Sequence, residues 1–216
     1  MGLVVMVLGE SGSGKSTALR NFEPDEIGVF NVAGKPLPFR KKMKVINAAT
    51  YQIIEKVLSK STCKAYAIDD SQCLMAFTLF NKAKEKGYDK FTDIAVEFYK
   101  LLRFIIDRTP PDCIVYFLHH TETTDTGKVK AKTIGKMLDN QLTVEGQFSI
   151  VLLCRTDGKR HWFETQSDGF TTAKSPMDMF PFEIDNDLKA VDTAIREYWG
   201  LSSQTKSSPV QEAVNQ

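Results

Sequence analysis

The strongest constraint on this chain is the run Gly9-Glu10-Ser11-Gly12-Ser13-Gly14-Lys15-Ser16, which fits the spacing G-x-x-x-x-G-K-[ST]. Such a loop turns several backbone N–H groups inward around one anion, at φ/ψ values that glycine reaches without steric cost. The apolar segment Leu3–Leu8 before it reads as a buried strand, and the residues after it as a short helix ending before Pro24. A helix beginning near Lys15 aims its positive end at the anion. The pattern predicts a cradle for ATP formed by Gly9, Glu10, Ser11, Gly12, Ser13, Gly14, Lys15, Ser16 and Thr17. In it Lys15 reaches the β- and γ-phosphates, Ser16 ligates Mg2+, and Thr17 lies by the α-phosphate.

A second acidic element follows. Ala65–Ile68 is a short apolar strand that ends in Asp69-Asp70. An aspartate at the end of a buried strand beside a phosphate loop can hold the Mg2+ water shell, and Asp69 is the candidate. Asp70 is the candidate for orienting or deprotonating an attacking water. By itself the pair reads better as a turn that caps the next helix; the glycine loop tips it to the metal. A further buried strand, Cys113–Leu118, ends in His119-His120. It is expected beside the phosphate-loop strand, at the crevice where α/β sheets bind ligands. His120, ahead of His119, is then the candidate sensor of the γ-phosphate.

The rest of the chain reads as strands alternating with helices. Ile27–Val32 and Lys44–Asn47 are β-like, and Ala33–Lys42, with Gly34, Pro36 and Pro38, is a loop. Thr50 can cap a helix to about Lys60, and a helix is expected from Ser71 to about Lys84. Ile94, Phe98, Leu101, Leu102 and Ile105 form one apolar helical face that stops at Thr109-Pro110-Pro111. Phe148–Cys154 and Arg160–Thr165 flank Asp157-Gly158, a hairpin signal. Asn186–Trp199 reads as a last helix. The expected fold is α/β, a mainly parallel sheet closed by an antiparallel C-terminal hairpin. Its domain is taken as residues 1–201, followed by a polar flexible tail, 202–216.

Composition narrows the classes. Lysine and arginine number 28 against 27 acidic residues, so no global field recruits nucleic acid or a membrane, and any such partner needs a local patch. No apolar run approaches the roughly 18 residues of a membrane-spanning helix. The N-terminus has no basic region or cleavage site of a signal peptide. Cys63, Cys73, Cys113 and Cys154 lie far apart without a CxxC pair, as expected of reduced thiols in the cytoplasm.

Thr121–Lys136 is polar and basic and reads as a loop. Its alternate lysines, Lys128, Lys130 and Lys132, with Lys136, form a row suited to a nucleic-acid backbone. The same pattern also describes an ordinary solvated loop. Lys35, Arg40, Lys41, Lys42 and Lys44 around Phe39 make a second basic cluster, whereas Glu164–Glu197 is acidic.

The segments GESGSGKST, NVAGKPLPFR, IDDSQ, FLHHTE and TTAKSPMDMF together resemble phage-encoded P-loop ATPases, in particular minimal RecA-like recombinase cores that act as single-strand annealing proteins. The resemblance spans roughly residues 1–201 by order of motifs. It implies a RecA-like ATPase core that uses ATP and Mg2+, binds single-stranded DNA, and forms a homo-oligomer with nucleotide between subunits. It also implies that Thr121–Lys136 stands where a mobile DNA-binding loop would. Lys174 becomes a candidate finger toward a neighbour's phosphates, in competition with Arg155 and Arg160. A single-strand-binding protein is a further possible partner, and the host-cell cytoplasm the expected location. Other readings stay open: a helicase loader or packaging-type accessory ATPase, a small-molecule P-loop kinase, or a nucleotide switch. The scattered arginines give no arginine-rich lid, and no N-K-x-D guanine motif or LSGGQ-like signature is present.

Overall fold

In the computed structural model, which describes residues 1–60, 63–135 and 137–202, the apolar runs become the middle of one sheet. Among the described residues, nine strands join in the order β3-β2-β4-β5-β1-β7-β8-β9, with β6 pairing to β5. The strands are β1 (Leu3–Gly9), β2 (Gly28–Asn31), β3 (Lys44–Asn47), β4 (Ala65–Asp69), β5 (Ile114–Thr123), β6 (Val129–Ala131), β7 (Ile150–Thr156), β8 (His161–Glu164) and β9 (Glu183–Asp185). From β3 to β7 the main sheet is parallel, and β8 and β9 add antiparallel strands at one edge. The molecule is thus α/β with a mostly parallel mixed sheet.

Among the described residues four α-helices cover the faces: α1 (Tyr51–Leu58), α2 (Gln72–Asn81), α3 (Asp89–Arg108) and α4 (Leu188–Trp199). Side chains of a strand alternate between faces, and β1 divides its residues accordingly. Val4, Met6 and Leu8 pack with α1, α2 and α3, while Val5 and Val7 pack with Phe22 and with Leu188, Val191 and Ile195 of α4. Both faces are covered, which is why β1 reads as a continuous apolar run rather than an alternating one. The apolar face foreseen in 94–105 is the buried stripe of α3, and each large side chain there contributes roughly 1.5–3 kcal/mol by leaving water. Thr50 caps α1 by accepting from the Ile53 N–H, and Gly200 ends α4 in the left-handed region at φ 61°.

Two elements differ from the sequence reading. The helix expected after the glycine loop is one 3-10 turn, Ser16–Leu19. Arg20 donates to the Thr17 carbonyl, which a longer helix would need, Phe22 turns into the core, and Pro24 follows. A turn this short has almost no macrodipole, so an anion at this loop meets N–H groups and Lys15 instead. Thr121–Lys136 is also not simply a loop. β5 runs on to Thr123 and folds back through Gly127, at φ 80°, into antiparallel β6. Of the expected tail, Ser202 is tied to Lys64 and Asp112, and residues 203–216 lie outside the described residues, as does Lys136.

No helix among the described residues is long and apolar enough to cross a membrane. The cysteines carry free thiols.

Candidate functional site

The parallel strands β4, β5 and β1 end side by side, with Gly9 opposite His120 and Leu8 opposite His119. This register brings the glycine loop, the aspartate pair and His120 around an open cleft of ≈ 370 Å³. Ser11, Gly12, Gly14, Lys15, Ser16 and Thr17 line one side, and Asp69, Asp70 and His120 another. Glu10 and Ser11 also border a neighbouring hollow of ≈ 400 Å³ with Gln72, Thr121 and Lys132.

Gly12 and Gly14 sit at φ 82° and 102°, a region side chains disfavour. A Cβ on Gly14 would stand 2.9 Å from the His161 ring, so the glycine here meets a packing need as well as a conformational one. Beneath the loop, the Ser13 carbonyl accepts from the Cys154 thiol (2.9 Å) and from His161 Nδ1 (2.7 Å). Asn186 in turn donates to Cys154 and is held by Arg20. Cys154, His161 and Asn186 therefore shape the loop from strands and turns far away in sequence, with Arg20, just past the loop, holding Asn186.

Lys15 is buried, and its ammonium donates to the Gly9 and Glu10 carbonyls at 2.8 Å each. Burial lowers its pKa, with Cys154, Asp70 and Asp69 opposing that shift. Its direct partners are neutral, so its charge awaits an anion. The Ser16 hydroxyl donates to Asp69 Oδ1 at 2.7 Å. Burial raises the pKa of Asp69, and the Ser16 hydrogen bond only partly offsets this. A divalent cation beside this carboxylate would relieve the same penalty. A phosphate-bound Mg2+ needs few protein ligands because phosphate oxygens and water supply the rest. Ser16 and Asp69 are the residues that could hold one here. Among the described residues no group of three or more His, Cys, Asp or Glu is arranged to hold a metal alone.

Asp70 departs from the strand. Its φ of 56° is left-handed, a conformation that aspartate tolerates better than most residues, and this breaks the alternation of β4. Its carboxylate accepts from His120 Nε2 at 3.1 Å and from Lys35 Nζ at 3.0 Å. The His120 hydrogen bond first, and then Lys35, hold its pKa down at about 2 against the effect of burial.

The two histidines part company because adjacent residues of β5 face opposite sides. His120 faces the cleft. His119 is fully buried, donates from Nε2 to the Lys132 carbonyl (2.9 Å), and has the Ser71 hydroxyl 2.9 Å from Nδ1. A carbonyl only accepts, so Nε2 carries a proton. Burial pushes its pKa down to about 4. His119 thus clamps the β5–β6 hairpin rather than lining the cleft.

Lys128, Lys130 and Lys132 do alternate along one side of β6. Lys128 and Lys132 are exposed, and Lys130 pairs with Glu122 at 3.0 Å. Lys174 does not line the cleft: its backbone bridges to Val151 of β7. Arg155 pairs with Glu164, and Arg160 pairs with Glu183 and stacks over Trp162. Lys35, which sequence reasoning grouped with a surface cluster, and His161, which it did not single out, both line the cleft. The loop punctuation Gly34-Lys35-Pro36 was the signal available for Lys35, whereas His161 left none. No protein-family model matches this chain, and a search of curated proteins returns no match.

Proposed function

We propose that this chain is a RecA-like P-loop ATPase that binds ATP with Mg2+ in the cleft above β1, β4 and β5, hydrolyses it, and acts on single-stranded DNA in annealing, recombination or replication of phage DNA. The observation that carries the nucleotide reading is the Ser16–Asp69 hydrogen bond beside a buried, unneutralised Lys15 and a glycine-turned loop. Both signs of desolvated charge lie where a metal polyphosphate needs the opposite ones. The mostly parallel sheet is compatible with a RecA-like core.

In this reading the N–H groups around Gly12 and Gly14 and the Lys15 ammonium bind the phosphates, and Ser16 and Asp69 face the metal. Mg2+, when bound, neutralises charge building on the β- and γ-phosphate oxygens. Asp70 orients the attacking water rather than deprotonating it. A carboxylate with a pKa of about 2 is a weak base near neutrality. Without nucleotide, His120 and Lys35 both hold that carboxylate in place.

The DNA reading is supported by the β5–β6 hairpin, whose exposed Lys128 and Lys132 flank β6, the strand paired to the end of β5 just beyond His120. Nucleotide shared between subunits, and cooperation with a single-strand-binding protein, belong to the same reading. The hollow beside His120 favours the second reading, a small-molecule kinase whose acceptor sits against Gln72 and Thr121.

ATPase rate measured with and without single-stranded DNA across a salt series separates the two. The first reading expects stimulation by DNA, and DNA binding that weakens steeply with salt. Lys15→Ala should abolish turnover. Normal hydrolysis by that variant overturns the nucleotide site, and a rate indifferent to DNA moves the assignment to the kinase.

A further inference from the structure

The loop between β2 and β3 brings a second lysine to the cleft. Asn31, at the end of β2, is buried and spends its side chain on this loop. Its Oδ1 accepts from the Gly34 N–H at 2.9 Å, and its Nδ2 donates to the Lys35 carbonyl and to Asn47. Gly34 turns the chain at φ 70°. The backbone of Lys35 is thereby pinned, while its side chain stays 69% exposed and reaches across to Asp70 Oδ2 at 3.0 Å, with Asp70 itself only 13% exposed. Pro36 and Pro38 continue the same wall of the cleft.

An anchored backbone with a mostly exposed, charged tip, paired here to one carboxylate oxygen, suits a lysine that can pass to a ligand. Lys35 is largely in solvent although Asp70 is not, so water can take the place of the carboxylate at its ammonium and partner exchange costs less than in a fully buried pair. Lys35 also lies on the Asp70–His120 side of the cleft, away from the carbonyls that hold Lys15.

We infer that Lys35 is a γ-phosphate-binding lysine supplied by the chain itself: in the ATP-bound protein its ammonium leaves Asp70 for the terminal phosphate, freeing one Asp70 oxygen to hold the attacking water. The inference rests on the nucleotide reading above. It assigns to the same subunit a cation that Lys174, Arg155 and Arg160 were candidates to deliver from a neighbour.

The test is calorimetric binding of Mg·ATP and Mg·ADP to the full chain and to Lys35→Ala, Lys35→Arg and Asn31→Ala. Loss of a charge-assisted hydrogen bond to the γ-phosphate weakens ATP binding by about 10-fold or more. ADP affinity should stay within about twofold, since ADP lacks the contacted group. Lys35→Arg should retain most of the ATP preference. Asn31→Ala should lose part of it with the anchor, and thermal unfolding of each variant reports whether the fold is intact. An unchanged ATP-to-ADP affinity ratio in Lys35→Ala overturns the inference and leaves the nucleotide site standing. A wild-type chain that binds neither nucleotide overturns the underlying reading and this assignment with it.

Discussion

Acidification tests the buried side of this site through His119. The ring lies in the interior, edge-on to Phe98 at 5.8 Å, where Lys15 and the His120 ring oppose a positive charge on it. Burial chiefly, with those charges, pushes its pKa from an ordinary 6.5 down to about 4. Below about pH 6.5 the unfolded chain therefore takes up a proton that the folded chain refuses. The contribution is fully present above about pH 6.5 and is lost as the pH falls toward 4. Integrating between those values gives a loss of about 2 kcal/mol from pH 7 to pH 5, and about 3 kcal/mol by pH 4. For a chain of this size the loss from pH 7 to pH 5 is a fall in Tm of roughly 4–8 °C. The assay is urea unfolding across that range for the wild type and for His119→Gln. The glutamine amide can still donate to the Lys132 carbonyl but does not titrate. The variant is expected to be less stable at pH 7 and to show a flatter profile. Parallel profiles for the two proteins would refute the placement of a neutral His119 in the core.

Other perturbations address the loop and the far side of the sheet. Gly14→Ala places a Cβ at φ 102° and 2.9 Å from His161, which should cost about 1–3 kcal/mol for the backbone and about 1–3 kcal/mol more for crowding. Adding His161→Ala should recover the crowding part alone. A Gly14→Ala protein as stable as the wild type in denaturant titration would contradict the loop geometry. Asp192→Ala removes the buried carboxylate that receives Arg196 at 2.6 Å and the Tyr116 hydroxyl at 3.0 Å. Arg196 still bonds the Lys64 and Asp112 carbonyls, but its charge is left uncompensated. The expected loss is about 3–5 kcal/mol by the same titration, and a loss below about 1 kcal/mol counts against the pair.

Much of the site was legible because its chemistry is local in sequence. Gly12, Gly14, Lys15 and Ser16 lie within one loop, and Asp69-Asp70 closes an apolar run, so spacing alone placed them as candidates. The α/β alternation was legible for the same reason, since buried parallel strands are short unbroken apolar runs bounded by turns. What escaped depends on partners distant along the chain. The β5–β6 hairpin was hidden because its residues are polar, and what holds it is the His119 clamp and the buried Glu145 carboxylate accepting from the Ala131 N–H.

By itself, then, the sequence determined where a phosphate-binding loop can form, which runs are strands and which helix face is apolar, because each follows from neighbours within one turn or strand. Tertiary structure alone decided that His120 and not His119 faces the cleft, because a strand sends adjacent side chains to opposite faces and only the register with β1 says which face matters. It also decided that Lys35 meets Asp70, because a buried asparagine and a left-handed aspartate, 39 residues apart by their numbering, must both be in place before the two charges can approach.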